Sequence, residues 1–213
     1  MIPSHGMLFV ATNIAPEDEA DFNAWYDREH VEERVAIEGF LSGTRYQAVD
    51  AERKYLGLYE TRSLEAFTRE AYHAAFTRQT AWSVANLQKM VKPMRRVCAI
   101  THQHGKGTGN HLAILTLTSA IDASALSDWQ QTLFSTSGYI ASRLLTPDTT
   151  LSSPLPRESK ENRQMQPMLL ISCSDAAGCQ QLAQLAAEKF AADVQLYSLS
   201  WQLTKQEMAD GNY

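Results

Sequence analysis

The stretch His104-Gly105-Lys106-Gly107-Thr108-Gly109-Asn110 decides how the chain is divided. Three glycines in so short a polar segment are typical of a flexible linker. The order of strand and helix patterns before this stretch repeats after it, which indicates an internal duplication. We therefore expect a first half at residues 1–104, a linker at 105–110 and a second, degenerate half at 111–213.

The first half alternates between strand and helix patterns. Short apolar, β-prone runs predict strands at residues 7–13, 40–49, 54–61 and 94–103. A 3.6-residue apolar period predicts a helix from Pro16, and its stripe changes angle near His30, so we expect a break or reorientation there. A second helix begins after Ser63. The resulting order is β-α-β-β-α-β.

The second half repeats this order. It has strand patterns at residues 111–118, 138–146, 168–174 and 194–203, and helix patterns at 122–134 and 175–190. Gly39-Phe40 and Gly138-Tyr139 open corresponding strands, and an arginine follows each glycine by five or six residues. A polar loop at 147–166 is rich in proline and serine; such loops are usually disordered or form functional lids, and we expect disorder here.

This order predicts an α+β fold made of tandem ferredoxin-like βαββαβ repeats. A four-stranded antiparallel sheet with two helices on one face leaves its other face uncovered. One chain with two such sheets can cover both, because the antiparallel sheets can face each other as an α+β barrel and enclose a ligand cavity. The chain is then an internal pseudo-dimer, although a homodimer that pairs the intact halves is equally possible.

Composition narrows the classes of partner. The net charge is −5 and the pI about 5.7, which argues against a nucleic-acid-binding surface. The basic residues Lys89, Lys92, Arg95 and Arg96 cluster before a strand, and we expect them to form a solvated edge.

Cysteine usage and hydropathy predict a cytoplasmic protein. The three cysteines are odd in number and lack the spacing of metal sites, which fits a reducing compartment. The N-terminal residues do not resemble a signal peptide, and no apolar run is long enough to cross a bilayer, so no membrane partner is expected.

Four stretches of the first half carry a family resemblance. Residues 25–34 (WYDREHVEER), 37–40 (IEGF), the pair Arg45-Tyr46 and residues 54–60 (KYLGLYE) resemble the dimeric α+β barrel superfamily, and its EthD-like members in particular. The likeness covers roughly residues 7 to 100; the second half matches only in element order. It implies a barrel fold, and it leaves the reaction open because the superfamily includes cofactor-independent oxygenases, cyclases, lactone isomerases and haem-degrading enzymes.

His30 is the leading candidate for acid–base chemistry, since a histidine moves protons near neutral pH. The resemblance implies that it faces a cavity; the alternative is a histidine that bridges helix and strand. Tyr46 and Tyr59 are the candidates for orienting substrate through their hydroxyl groups. The candidate substrate-binding residues around them are Trp25, Tyr26, Arg45 and Tyr55.

Several of these candidates have structural alternatives. Arg45 can bind a substrate carboxylate, but we favour an ion pair with Glu29 or Glu33. Trp25 and the strand tyrosines can serve as ordinary core residues, and core packing is the role we favour for Trp25 and either of the strand tyrosines.

Metal and haem sites are not expected. His102 and His104 alternate on one strand with Cys98, yet they run into the glycine linker, where histidines are common without a ligand role. Asn13, His73 and Trp82 invite comparison with haem-degrading relatives, but His73 precedes Trp82, the reverse of those enzymes. We therefore expect no cofactor.

These residues favour a cofactor-independent enzyme acting on a small aromatic or polyketide-like molecule by proton transfer. The alternative is a non-catalytic small-molecule-binding or stress-type barrel protein. A third possibility, a purely structural module, requires that side chains fill the space between the sheets completely.

Overall fold

The first strand of the chain, Gly6–Asn13, is buried on both faces because it carries apolar residues on both. A computed structural model describes residues 5–210, apart from the side chain of Ala123. The strands are β1 (Gly6–Asn13), β2 (Phe40–Asp50), β3 (Tyr55–Thr61), β4 (Val91–Gly105), β5 (His111–Leu117), β6 (Tyr139–Pro147), β7 (Met168–Cys173) and β8 (Ala192–Thr204).

Helices connect the strands on the outside of the sheet. They are α1 (Glu19–Trp25), α2 (Val31–Ala36), α3 (Glu70–Thr77), α4 (Ala81–Lys89), α5 (Ala123–Ser135), α6 (Ala176–Phe190) and α7 (Lys205–Asp210). Two short 3-10 turns, Pro16–Asp18 and Leu64–Phe67, precede α1 and α3. The α+β class and the repeated element order are confirmed.

The strands form one closed antiparallel barrel in the order β1-β3-β2-β8-β5-β7-β6-β4. The two halves meet along two seams, where β2 pairs with β8 and β4 pairs with β6. The barrel therefore closes within one chain, as an internal pseudo-dimer does. The homodimer stays a prediction.

The centre of the barrel is filled by apolar side chains from both halves. Met7 and Phe9 of β1 pack there with Leu58 of β3, Ile114 of β5 and Leu170 of β7. Eight strands enclose a space just wide enough for side chains to fill. The central space between the sheets is thus core, and the cavity expected between them does not lie at the barrel's centre.

The other face of the first-half sheet packs against its helices. Leu8 and Val10 alternate with the interior residues of β1 and lie under Phe22 and Trp25. Successive strand residues point to opposite faces, so each strand contributes to both cores.

The loop between β6 and β7 is ordered against the first half, which corrects the expectation of disorder. Glu158 forms a buried ion pair with Arg96 and a second with Arg163. Its other oxygen accepts a hydrogen bond from the Arg95 backbone N–H. Arg95 and Arg96 are buried, so the expectation of a solvated basic edge is wrong for these two residues.

Among residues 5–210, no helix is long and apolar enough to cross a bilayer.

Replacing Glu158 tests the loop's contribution to stability. Glu158→Gln leaves two arginines at a buried position without their carboxylate, so we expect the free energy of unfolding to fall by about 3 kcal/mol. Urea denaturation at pH 7 measures this. The matched control is Glu161→Gln, an exposed carboxylate of the same loop, which should change it by less than about 0.5 kcal/mol. Equal effects of the two variants would contradict the assignment.

Candidate functional site

A π-helical turn at Tyr26–His30 joins α1 to α2. The extra residue in each turn of a π-helix rotates the side chains that follow, and such turns occur frequently at functional sites. Here both Tyr26 and His30 are buried against the sheet. The predicted reorientation near His30 is therefore confirmed, and it occurs without a break in the helical backbone.

The His30 ring is held by aromatic neighbours. Its centroid lies 4.2 Å from that of Trp25 and 5.0 Å from that of Tyr26. Trp25 is fixed in turn, because its indole N–H donates to Ser83 Oγ at 3.0 Å and Ser83 donates to Glu29. These two hydrogen bonds hold the Trp25 ring against the His30 ring.

The His30 side chain has an unused ring nitrogen. Its Nδ1 is buried and has no hydrogen-bond partner among the described residues. Buried polar atoms are almost always paired, so an unpaired imidazole nitrogen beside a cavity is an exception that needs a cause. His30 thus lines a cavity with one ring nitrogen unpaired among the described residues, and its role in acid–base chemistry stays a prediction.

Tyr59 presents a second unpaired group beside His30. Its ring is 6.2 Å from the His30 ring, and its hydroxyl is buried without a hydrogen-bond partner among the described residues. The Tyr26 hydroxyl lies nearby, and the two phenols influence each other's pKa. A Cβ at Gly57 would lie 3.4 Å from the Tyr59 hydroxyl and 3.6 Å from that of Tyr26, so glycine leaves room for both.

Burial sets the protonation states of these groups. Burial, together with the positive charges of Arg34 and Arg45, holds the pKa of His30 well below its ordinary value. Burial raises the pKa of Tyr59 well above its ordinary value and also raises the pKa of Tyr26. At neutral pH the site therefore holds a neutral imidazole, which can accept a proton, and two neutral phenols, which can donate hydrogen bonds.

A small cavity of about 30 Å³, which we call the His30 cavity, connects these groups. Its polar and aromatic wall is Tyr26, His30, Arg34, Tyr59, Phe76 and Arg95. Its aliphatic wall is Leu8, Val10, Leu87, Met90 and Leu155. This volume is about that of one water molecule, so a larger ligand requires a side chain to move.

Phe76 is the side chain best placed to move. It closes the His30 cavity from α3 although its residue is 38% exposed. Only Tyr72 is buried in that helix. Elements with few buried residues open at low free energy, so α3 can uncover the cavity without disturbing the barrel.

Arg34 and Arg95 line the His30 cavity, but they were not identified as site residues from the sequence. Arg34 follows His30 by four residues, which places the two on one helical face, and this spacing could have identified it. Arg95 shares a strand face with Val97, directly opposite Val10 of β1. Strand alternation could therefore have placed Arg95 on the helix-facing side.

Arg45 forms an ion pair, as predicted, but with a different carboxylate. Its guanidinium donates to Asp27 at 2.6 Å and to Asn23 at 3.0 Å, and does not pair with Glu29 or Glu33. It also lies 4.3 Å from the Tyr26 ring centroid. Trp201 of β8 donates to the same Asp27 oxygen, so the second half helps to hold Arg45.

Tyr46 and Tyr55 do not join His30, which corrects their predicted placement. Tyr46 points into the barrel centre, on the opposite side of the sheet, because it follows Arg45 directly and adjacent strand residues face opposite ways. Burial raises the pKa of Tyr46 to about 12. Tyr55 lies on the helix side, but its hydroxyl donates to Glu19 at 2.7 Å, away from the cavity.

A larger depression of about 840 Å³ lies at one mouth of the barrel. It contains none of the predicted site residues. Several of its charged groups pair with one another, Glu158 with Arg96 and Arg163, and Glu52 with Arg53. We assign the site to the smaller cavity because its buried polar groups are unpaired.

The described residues do not fit a metal or haem site. Within residues 5–210, no group of three potential metal ligands comes together. Asn13 binds the β2–β3 turn, Trp82 donates to Asp21, and His73 is exposed on α3. None of the three lines the His30 cavity.

Arg34→Met tests whether the charge of Arg34 serves stability. An unpaired buried charge is unfavourable, so we expect the variant to gain about 1 kcal/mol in unfolding free energy. Arg45→Met, the matched control, loses hydrogen bonds to Asp27 and Asn23 and should lose about 1 kcal/mol. Urea denaturation measures both, and a destabilised Arg34→Met would show a structural role.

The low pKa of His30 predicts a pH-dependent stability. The unfolded chain binds a proton at this histidine below about pH 6.5, while the folded chain resists doing so. This contribution is therefore present above that pH and is lost as the pH falls, by up to about 1.4 kcal/mol per pH unit. Urea midpoints from pH 7 to pH 5 should fall less steeply for His30→Phe than for the wild type. His73→Asn, which changes an exposed histidine, should keep the wild-type slope, and an unchanged slope in His30→Phe would refute the burial argument.

Comparison with known proteins shows the fold. No protein-family model matches the sequence, and no curated protein matches it. An anthrone oxidase-like protein aligns with a TM-score of 0.64 and 12% identity, over 95% of this chain and 93% of its own. A proposed monooxygenase from Lactobacillus acidophilus NCFM aligns with a TM-score of 0.59 and 12% identity, over 95% of this chain and 97% of its own.

A proposed chlorite dismutase, TA0507, aligns with a TM-score of 0.59 and 8% identity, over 99% of this chain and 100% of its own. Identities this low carry information about architecture only. The chain thus has the ferredoxin-like α+β barrel fold of these proteins.

Proposed function

We propose that the chain is a cofactor-independent, EthD-like enzyme that removes a proton from a small aromatic or polyketide-like molecule. The observation that carries this proposal is the unpaired, buried Nδ1 of His30, beside the unpaired Tyr59 hydroxyl. A neutral imidazole takes up the proton, and a phenol donates a hydrogen bond to the oxygen where negative charge develops.

The charges around His30 favour the product of proton removal. Arg34 and Arg45 make the imidazolium alone unfavourable, as the lowered pKa of His30 reflects. The same positive charges stabilise an enolate or phenolate in the cavity. Proton transfer therefore becomes favourable when the anion forms next to the histidine, in a site largely closed to water.

Oxygenation is the outcome that the fold neighbours favour. One is named an anthrone oxidase-like protein and another a proposed monooxygenase, although they share only architecture with this chain. In such a reaction the substrate CH₂ becomes C=O and O₂ supplies one oxygen to the ketone and one to water. The four electrons that leave the carbon are those that reduce O₂, so no further oxidant is needed. Cyclisation or isomerisation would use the same first proton transfer.

A non-catalytic small-molecule-binding or stress-type barrel protein is the second candidate. It needs the same cavity but no proton transfer, and the lowered pKa of His30, which makes the free imidazole a weak base, favours it. The three buried free cysteines support a reducing compartment such as the cytoplasm for either function.

Anthrone oxidation tests the enzyme proposal. We expect the wild type to consume one O₂ per ketone formed without releasing hydrogen peroxide, measured with an oxygen electrode and product absorbance against a protein-free blank. His30→Gln should lower kcat by about 10²- to 10⁴-fold and Tyr59→Phe by about 10²-fold. Tyr46→Phe, across the sheet, should leave kcat unchanged.

Turnover by His30→Gln equal to the wild-type rate would contradict the role of His30. A wild type that binds anthrone without consuming O₂ would favour the non-catalytic candidate.

A further inference from the structure

The described lining of the His30 cavity is positively charged. It contains Arg34 and Arg95, the neutral His30 and two phenols, and no aspartate or glutamate. Buried charges in proteins are normally paired with an opposite charge. The described lining of the cavity therefore holds two positive charges and no negative charge to compensate them.

Arg34 is the less satisfied of the two arginines. The residue is 3% exposed, and its guanidinium makes no hydrogen bond or ion pair with the described residues. It lies over the face of Phe76, with 5.0 Å between Cζ and the ring centroid. An aromatic face compensates a buried cation only weakly compared with a carboxylate.

Arg95 approaches the same ring from the sheet. Its Cζ lies 5.8 Å from the Phe76 centroid. It donates only to neutral acceptors, the carbonyls of Leu151 and Ser153 and the hydroxyls of Ser153 and Tyr72, and its Nε is unpaired. Neither guanidinium is therefore paired with a carboxylate of the described residues, and the Phe76 ring lies beside both.

We infer that the His30 cavity binds a small aromatic carboxylate, whose carboxylate group pairs with Arg34 and Arg95 after the Phe76 ring moves aside. The aliphatic wall of Leu8, Val10 and Leu87 suits the ring of such a ligand. Two guanidiniums offer the paired N–H donors that a carboxylate accepts. This inference rests on the proposed function, for which it names the substrate class.

A bound carboxylate also changes the acid–base group. The charged and titratable neighbours of His30 are Arg34 on α2, Arg45 on β2, Tyr59 on β3 and Tyr26 on its own turn. Asp27 already pairs with Arg45. A carboxylate at Arg34 would offset the positive charge that lowers the pKa of His30, so the imidazole becomes a stronger base when substrate is present.

Benzoate is the probe, and benzamide is its uncharged control of the same shape. Isothermal titration calorimetry of the whole chain should show that benzoate binds the wild type at least tenfold more tightly than benzamide. Arg34→Met should remove this preference, while Arg28→Gln, an exposed arginine of the same helical segment, should keep it. Phe76→Ala should bind benzoate with a faster association rate, because its cavity is already uncovered.

A second measurement reports on the site itself. Benzoate should raise the pKa of the His30 ring in an NMR titration of the wild type, and should leave it unchanged in Arg34→Met. A structural role of Arg34 would not produce this difference.

Three results would overturn the inference: equal affinity for benzoate and benzamide, unchanged benzoate binding in Arg34→Met, or binding by neither wild type nor Phe76→Ala. Tighter binding of inorganic phosphate than of benzoate would assign the cavity to phosphate instead. Benzoate has no acidic C–H, so its binding is independent of catalysis. His30→Gln that binds benzoate yet matches wild-type turnover would refute only the proposed function, and anthrone turnover without benzoate binding would refute only the carboxylate.

Discussion

The two-residue alternation of the strands is the constraint on which the rest of the structure depends. Along β1, Met7 and Phe9 enter the barrel centre while Leu8 and Val10 lie under the helices. This division gives the first-half sheet two separate cores. Because the barrel centre is filled, the cavity with unpaired buried polar groups lies on the helix side, where the π-helical turn at Tyr26–His30 displaces the regular packing. The fold thus decides which face of the sheet can carry chemistry.

The helix side contains charges that a purely structural core would exclude. Removing a guanidinium from water is unfavourable unless an anion compensates it. Arg45 on the helix side meets this condition through Asp27, and Arg96 on the opposite face of the sheet meets it through Glu158. Among the described residues, Arg34 has no such partner. The contrast lies within one half of one chain, so a general tolerance of buried arginine does not explain it, and this contrast is what supports the inferred carboxylate ligand.

Much of the fold could be predicted from the sequence, because strand and helix periods are local signals. The element order, the duplication across the glycine linker and the reorientation near His30 all follow from such periods. The predicted placement of Tyr46 beside His30 was wrong, although strand alternation already assigns Tyr46 to the face opposite Arg45. The role of the loop after β6 could not be predicted, because a segment without periodicity gives no indication of what it will pack against.

The second half differs from the first on its helix side. Its helix α5 is one continuous α-helix without a π-helical turn, and its outer core is packed with apolar residues such as Trp129 and Leu182. Yet it also completes the site of the first half, because Trp201 holds Asp27 and Leu155 closes the cavity wall. If the second half were a separate chain, these contacts would form only when the two chains associate, and their formation would depend on protein concentration. Joined in one chain, the second half supplies them at all times, while its own helix side is packed with apolar residues.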